Sequence, residues 1–178
     1  MSASASAPPQ RRASERHGSW PQIRILLLLA LVSLPAVTSR IYASDEVQYF
    51  SFLRSLWFDR DVSFENEYQH FYDAGVARDY NFHETFLERT TETGRRVSFA
   101  TIGSALLWAP FYAAADVGVL LARAGGSTIP RDGYAWPYVA AVCYGSAIYG
   151  IAALLLSIRA AGTVGLDTRQ SVLAALAI

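Results

Sequence analysis

Long apolar runs are the feature that most limits what this chain can fold into. The first, Trp20 to Ser39, is almost uninterrupted Leu, Ile, Ala and Val from Ile23 to Val37. As a helix it would be about 30 Å long, the thickness of a hydrocarbon core. Two longer runs follow at 98–121 and 134–158, and a final run at 171–178 is too short to cross a bilayer. Apolar residues gathered in blocks are typical of a membrane protein.

Composition agrees with this interpretation and excludes some classes of function. The 178 residues are 52% apolar and 17% charged, whereas a soluble domain is roughly a quarter charged. The formal net charge is zero, which gives no reason to expect a nucleic-acid partner. The one cysteine, Cys143, lies in an apolar run and has no second cysteine with which to form a disulfide.

The sequence predicts an all-α membrane protein: a transmembrane helix bundle with amphipathic surface helices in the first outer loop. The expected segments are a disordered basic tail (1–19), a first transmembrane helix (20–39), an extracytoplasmic loop with amphipathic helices (40–97), second and third transmembrane helices (98–121 and 134–158) and the start of a truncated fourth helix (171–178). The truncated end suggests the front portion of a longer polytopic protein.

Arginines in the tail, Arg11, Arg12 and Arg16, favour a cytoplasmic N-terminus. We therefore expect a multi-pass protein of the inner (plasma) membrane, with residues 40–97 on the outer side. A cleaved signal peptide with small residues near Ala43 is the rival interpretation. The later apolar runs favour a retained helix, and either interpretation places Asp45 outside.

The 40–97 loop contains an amphipathic pattern. Apolar residues recur there at helical spacing: Val47, Phe50, Leu53, Leu56 and Trp57. Two placements of this helix stay open, along the membrane surface or packed on a small extramembrane core.

Two adjacent carboxylates, Asp45 and Glu46, follow the first apolar run and are the main candidates for chemistry. A carboxylate at a membrane surface can act as a general base or bind a divalent cation. Adjacent helical residues point about 100° apart, so one of the pair can face a cleft while the other turns away. The alternative is an acidic first helical turn with Ser44 as the N-cap.

The order of motifs resembles the GT-C glycosyltransferases, membrane enzymes that take sugars from polyprenyl-phosphate carriers, including protein mannosyltransferase-like and aminoarabinose-transferase-like proteins. The resemblance rests on Ser44–Tyr49, Phe52–Leu56, Phe64–Tyr68, Thr93–Arg95 and Gly103–Phe111. It covers the chain from about residue 20 onward, which corresponds to only the front part of such an enzyme.

The resemblance implies roles for particular residues. Asp45 would be the general base that deprotonates an acceptor hydroxyl, with inversion at the anomeric carbon, and Glu46 would support it or help to hold a divalent metal ion. The partners would be the lipid bilayer, a polyprenyl-phosphate-linked sugar and an acceptor.

A leaving phosphate needs positive charge nearby, and the candidates are Arg95, Arg96 and Arg54. Alternatively, Arg95 and Arg96 snorkel beside a membrane helix, and Arg54 pairs with Asp61 or Glu46.

Two further polar features have open interpretations. The cluster from Glu65 to His70 is either a contact for sugar or acceptor, or a hydrated loop. Asp116, inside an apolar run, needs protein or water around it, and we expect Arg123 as its partner near the cytoplasmic end. The functional alternative to the enzyme is a non-enzymatic polytopic membrane protein, such as a transporter subunit or a scaffold.

Overall fold

The structure is a computed structural model that describes residues 20–76 and 81–176, so the expected basic tail lies outside the described residues. The described chain is helical, with six α-helices: α1 (Trp20–Ser33), α2 (Ser44–Arg54), α3 (Glu65–Asp73), α4 (Gly103–Ala124), α5 (Trp136–Thr163) and α6 (Thr168–Leu176). A 3₁₀ turn, Leu34–Ala36, follows α1, and π-helical segments occupy Ser55–Asp59 and His83–Glu88. No strand occurs among these described elements.

The chain divides into two compact units. The larger is residues 32–152, and the described part of the smaller is residues 20–31 and 153–176. In the smaller unit Leu26, Ile158 and Val172 are buried against one another. All residues discussed as a candidate site belong to the larger unit.

Two helices, α4 with 22 residues and α5 with 28, are long and apolar enough to cross a membrane. By length and composition they support an association with a membrane. The described part of α1 is shorter, because its α-helix gives way to the 3₁₀ turn that contains Pro35.

Several helix boundaries differ from those expected. The helix expected from residue 98 begins at Gly103, and in the segment before it the backbone N–H of Phe99 donates to the side chain of Gln48 (2.7 Å). The helix expected from 134 begins at Trp136. Ahead of it, Asp132 Oδ1 accepts from the N–H groups of Tyr134 and Ala135 (2.8 and 2.9 Å).

α2 packs its apolar face inside the larger unit. Val47, Phe50 and Leu53 are buried there, and Phe50 meets Tyr112 of α4 edge-to-face with ring centroids 5.9 Å apart. The apolar face of α2 therefore packs on protein, and whether the helix also lies along the membrane surface stays a prediction. We refer to residues 40–76 and 81–97, which include α2 and α3, as the loop body.

The partner expected for Asp116 was wrong. The side chain of Asp116 is 7% exposed and forms a bidentate ion pair with Arg131 (2.8 and 2.7 Å). Trp57 and Tyr138 also donate to it, at 3.2 and 2.8 Å. Arg123 donates instead to the carbonyl of Ile129 (2.8 Å). The chain between α4 and α5 folds back along α4, and this brings Arg131 rather than Arg123 to the carboxylate.

α4 and α5 run antiparallel within the larger unit. The indole of Trp108 donates to Ser146 (2.8 Å), and the hydroxyl of Tyr149 donates to the carbonyl of Leu107 (3.0 Å). The closest approach is at Gly145, where a Cβ would lie 2.6 Å from the ring of Phe111. These contacts align the start of α4 with the middle of α5.

Candidate functional site

The acidic pair opens α2, as the sequence predicted, but the cap differs. Ala43 rather than Ser44 occupies the N-cap position. The Glu46 side chain reaches back, and its Oε2 accepts from the N–H groups of Tyr42 (2.7 Å) and Ala43 (3.2 Å). A carboxylate satisfies free N–H groups and stabilises the positive end of a helix. Glu46 therefore has a local structural role whatever else it does.

Glu46 also lines a crevice of about 380 Å³. Arg40 and Trp108 lie on the same walls, together with Cys143 and Ser146 of α5. Both hydrogen bonds of Glu46 fall on Oε2, so Oε1 has no described hydrogen bond. The lining of the crevice thus includes an acidic residue with spare bonding capacity and a basic residue.

Asp45 lies elsewhere on the first turn of α2. Its side chain is exposed and is not among the residues that line the crevice. Within the described residues it has no hydrogen bond or ion pair. The pair is therefore split, with Glu46 towards the crevice and Asp45 towards the outside.

The three arginines predicted to hold phosphate do not line this crevice. Arg54 donates to the side chains of Asp59 and Glu67 (2.9 Å to Glu67) and to the carbonyl of Asp132 (3.2 Å). Its guanidinium carbon also lies 4.6 Å from the ring centroid of Tyr134. Arg54 is therefore engaged inside the fold, and neither Asp61 nor Glu46 is its partner.

The other two predicted arginines lie near the end of the loop body. Arg96 donates to Glu65 (2.6 Å), and Arg95 is exposed. The structure does not bring them to the acidic pair. The cation that it does place beside Glu46 is Arg40, which sequence reasoning passed over. The position of Arg40 in the sequence could have indicated this, because it directly follows the first apolar run, Trp20 to Ser39, and precedes Asp45 by five positions.

The polar cluster from Glu65 to His70 is helix α3 rather than a hydrated loop. Glu67 is fully buried, and its Oε2 has no hydrogen-bond partner among the described residues. Burial raises the pKa of Glu67 from 4.5 to about 7, although the hydrogen bond from Arg54 acts in the opposite direction. His70 stacks on Tyr134, with ring centroids 3.8 Å apart, and burial lowers the pKa of His70.

A second crevice, of about 510 Å³, shares Arg40 and Ile41 with the first. Its other walls include Tyr42, His70 and Trp136. Arg40 is exposed and has no ion pair within the described residues, so its guanidinium is available to both crevices.

The possible divalent metal ion has no ready-made cluster of ligands. Within residues 20–76 and 81–176, no group of three or more His, Cys, Asp or Glu side chains is arranged to hold a metal ion. Among the residues that line the crevice, the possible side-chain donors are the carboxylate of Glu46, the thiol of Cys143 and the hydroxyls of Thr38 and Ser146.

Comparisons with known proteins gave no relative from which a function could be inferred. No protein-family model, no curated protein and no solved structure matches this chain.

Proposed function

We propose that this chain is the N-terminal portion of a membrane glycosyltransferase, which transfers a sugar from a polyprenyl-phosphate carrier to an acceptor hydroxyl on the extracytoplasmic face. The observation that carries the proposal is the crevice between α2 and α5, whose lining residues include the acidic Glu46 and the basic Arg40. The resemblance of the motifs to the GT-C enzymes gives the chemistry.

The two charged groups match the two ends of such a reaction. A carboxylate accepts the proton of the acceptor hydroxyl as its oxygen bonds to the anomeric carbon. The bond from that carbon to the lipid phosphate breaks, and a guanidinium stabilises the charge on the departing phosphate. The resemblance assigns the base to Asp45, whereas Glu46 is the carboxylate at the crevice. Arg40 takes the phosphate role expected of Arg54, Arg95 and Arg96.

The membrane context supports a lipid-linked donor. α4 and α5 are long and apolar enough to cross a bilayer, and both contribute to the crevice wall through Trp108 and Ser146. A carrier whose tail dissolves in the bilayer would present its phosphate close to such helices.

The test uses membranes that carry the protein at its full natural length, with radiolabelled polyprenyl-phosphate sugars as donors. Asp45→Asn and Glu46→Gln are compared with Glu84→Gln, a matched change at an exposed carboxylate. Loss of a general base lowers the rate by roughly 10²–10⁴-fold. We expect one variant of the pair to show that loss and the control to keep the parental rate. Unchanged transfer by both variants would remove the acidic pair from the mechanism.

The alternative is a non-enzymatic polytopic membrane protein, such as a transporter subunit or scaffold. A transport path needs free polar groups within the membrane helices. Asp116, the one acidic residue of α4, is held by Arg131, Trp57 and Tyr138, which argues for a structural role. Substrate-dependent transport in proteoliposomes without sugar transfer would favour this alternative.

A further inference from the structure

We propose that α4 does not cross the membrane: the connection between α4 and α5 lies on the same side as the loop body, and the exposed apolar ridge of α4 rests on lipid. This inference concerns how the chain meets the bilayer and does not depend on the proposed chemistry. It would replace the expected crossing at 98–121.

The chain that enters α4 is held by the loop body. The hydroxyl of Tyr68 in α3 donates to the carbonyl of Val97 (3.2 Å). The N–H of Phe99 donates to Gln48 of α2 (2.7 Å), and the Phe99 ring packs on Phe86 with centroids 5.9 Å apart. The N-terminal end of α4 is therefore fixed to α2, α3 and the second π segment.

The chain that leaves α4 is held by the same body. Arg54 of α2 donates to the carbonyl of Asp132 (3.2 Å), and His70 of α3 stacks on Tyr134 at 3.8 Å. At Gly133, where φ is +84°, a Cβ would lie 2.8 Å from the ring of Phe58. Residues 132–134, which have folded back beside Tyr112 in the middle of α4, thus contact α2 and α3 as well.

Helix length makes this arrangement incompatible with a crossing. The 22 residues of α4 extend about 33 Å, slightly more than a hydrocarbon core of about 30 Å. Beside α4, the α2 segment extends from Gln48, which binds Phe99, to Trp57, which binds Asp116. The eight residues of α4 beyond Asp116 extend only about 12 Å, so if α4 crossed, the α2 segment would have to lie in the core beside it. The charged groups Arg54, Asp59 and Glu67 would then lie in hydrocarbon, which is strongly unfavourable. Placing both ends of α4 on one side avoids this cost.

The outer ridge of α4 identifies lipid as the partner. Its side chains are between 44% and 70% exposed: Leu106, Leu107, Val117, Leu120 and Leu121. The one charged residue of α4 before Arg123 is Asp116, which is buried and bound by Trp57 and Arg131. The ridge adjoins α5, whose exposed residues Ile148 and Tyr149 continue the apolar surface. An exposed apolar surface without a charged side chain is typical of a membrane contact.

Cysteine accessibility tests the sidedness in the full chain. Cys143, the one native cysteine, is replaced by serine. Single cysteines then replace Glu84 in the loop body or Thr128 in the connection, both exposed. Cells are treated with a membrane-impermeant maleimide, intact or permeabilised, and the carbonate-resistant membrane fraction is analysed. We expect both positions to be labelled to within twofold of each other in intact cells.

The outcomes are distinguishable. Labelling of Glu84→Cys in intact cells, with Thr128→Cys labelled only after permeabilisation, would show that α4 crosses and overturn the proposal. If neither position is labelled until the cells are permeabilised, the loop body and the connection lie on the same side, as proposed. That side would be the cytoplasm, and this would contradict the proposed extracytoplasmic function instead.

Spin labelling tests the lipid contact. A nitroxide at Leu121→Cys, on the ridge, is compared in liposomes with one at Thr128→Cys. We expect collisions with oxygen, which partitions into lipid, to exceed those with a water-soluble nickel complex at 121, and the reverse at 128. Nickel-dominated collisions at 121 would place the ridge in water, and protection from both reagents would mean that protein covers it. Either result would overturn the lipid contact.

Discussion

The acidic pair at the start of α2 and the buried pair formed by Arg54 of α2 and Glu67 of α3 differ in the surroundings of their charged groups. Asp45 has no described polar partner, and Glu46 keeps one free oxygen beside a crevice. Arg54 and Glu67 lie inside the fold, with side chains 12% and 0% exposed, and bind each other at 2.9 Å. Exposed charged groups with spare bonding capacity can act on a ligand, whereas Arg54 and Glu67 are buried away from any ligand and contribute to the fold. This contrast can be tested in four ways.

The largest effect should come from Arg54→Ala. It leaves the Glu67 carboxylate buried without its cation, and breaking a buried ion pair costs about 3–5 kcal/mol of unfolding free energy. Thermal unfolding in detergent would measure the loss. Arg95→Ala, at an exposed arginine, is the matched control and should stay within about 0.5 kcal/mol. Equal effects of the two changes would show that the buried pair does not stabilise the fold.

Asp116→Ala should have the next largest effect. It removes the acceptor for Arg131, Trp57 and Tyr138 at once, and we expect a loss of about 2–4 kcal/mol, because hydrogen bonds to charged groups are the stronger ones. Asp116→Asn keeps one acceptor oxygen and should cost less. A double-mutant cycle with Arg131→Gln should give a coupling of about 0.5–3 kcal/mol; additive effects would mean that the ion pair contributes nothing.

The pH dependence of stability should reveal Glu67. Burial raises the pKa of Glu67 in the folded chain to about 7, so between pH 4.5 and 7 the folded state binds more protons than the unfolded state. The protonated Glu67 carboxyl therefore contributes its full stabilising free energy below pH 4.5, and this contribution is lost as the pH rises through about 7. Relative to Glu67→Gln, the parent should lose on the order of 1–3 kcal/mol across that window. Parallel stability curves for the two proteins would contradict the raised pKa.

The smallest effects on stability should come from the acidic pair. Asp45→Asn removes an exposed carboxylate without described partners and should change unfolding by less than about 0.5 kcal/mol. Glu46→Gln loses a charge at the start of α2 and should cost about 0.3–1 kcal/mol. A loss of more than about 2 kcal/mol of unfolding free energy in Asp45→Asn would show that Asp45 stabilises the fold, and would contradict the difference drawn between the acidic pair and the buried pair.

Sequence reasoning anticipated the features that depend on local pattern. The helical class, the apolar runs that became α4 and α5, and the buried face of α2 at Val47, Phe50 and Leu53 all follow from periodicity and block length. The start of α2 at the acidic pair also follows, because carboxylates favour a first helical turn.

Features that depend on long-range folding could not be read in this way. Asp116 pairs with Arg131 because the chain folds back after α4. Gly133 allows this turn because glycine adopts a φ of +84° readily and has no side chain to clash with the nearby Phe58 ring. Arg54 is drawn inward by Glu67, thirteen positions away, so its charge gave no sign of its engagement. The crevice that Arg40 and Glu46 line is likewise a long-range feature, because α5 supplies Cys143 and Ser146 to its lining.

Arg40 and Ile41 contribute to the lining of both crevices of the larger unit. A molecule that moves these two residues when it enters one crevice therefore also changes the lining of the other. Occupancy of the crevice beside His70 and Trp136 would in this way reach the surroundings of Glu46 through two neighbouring residues.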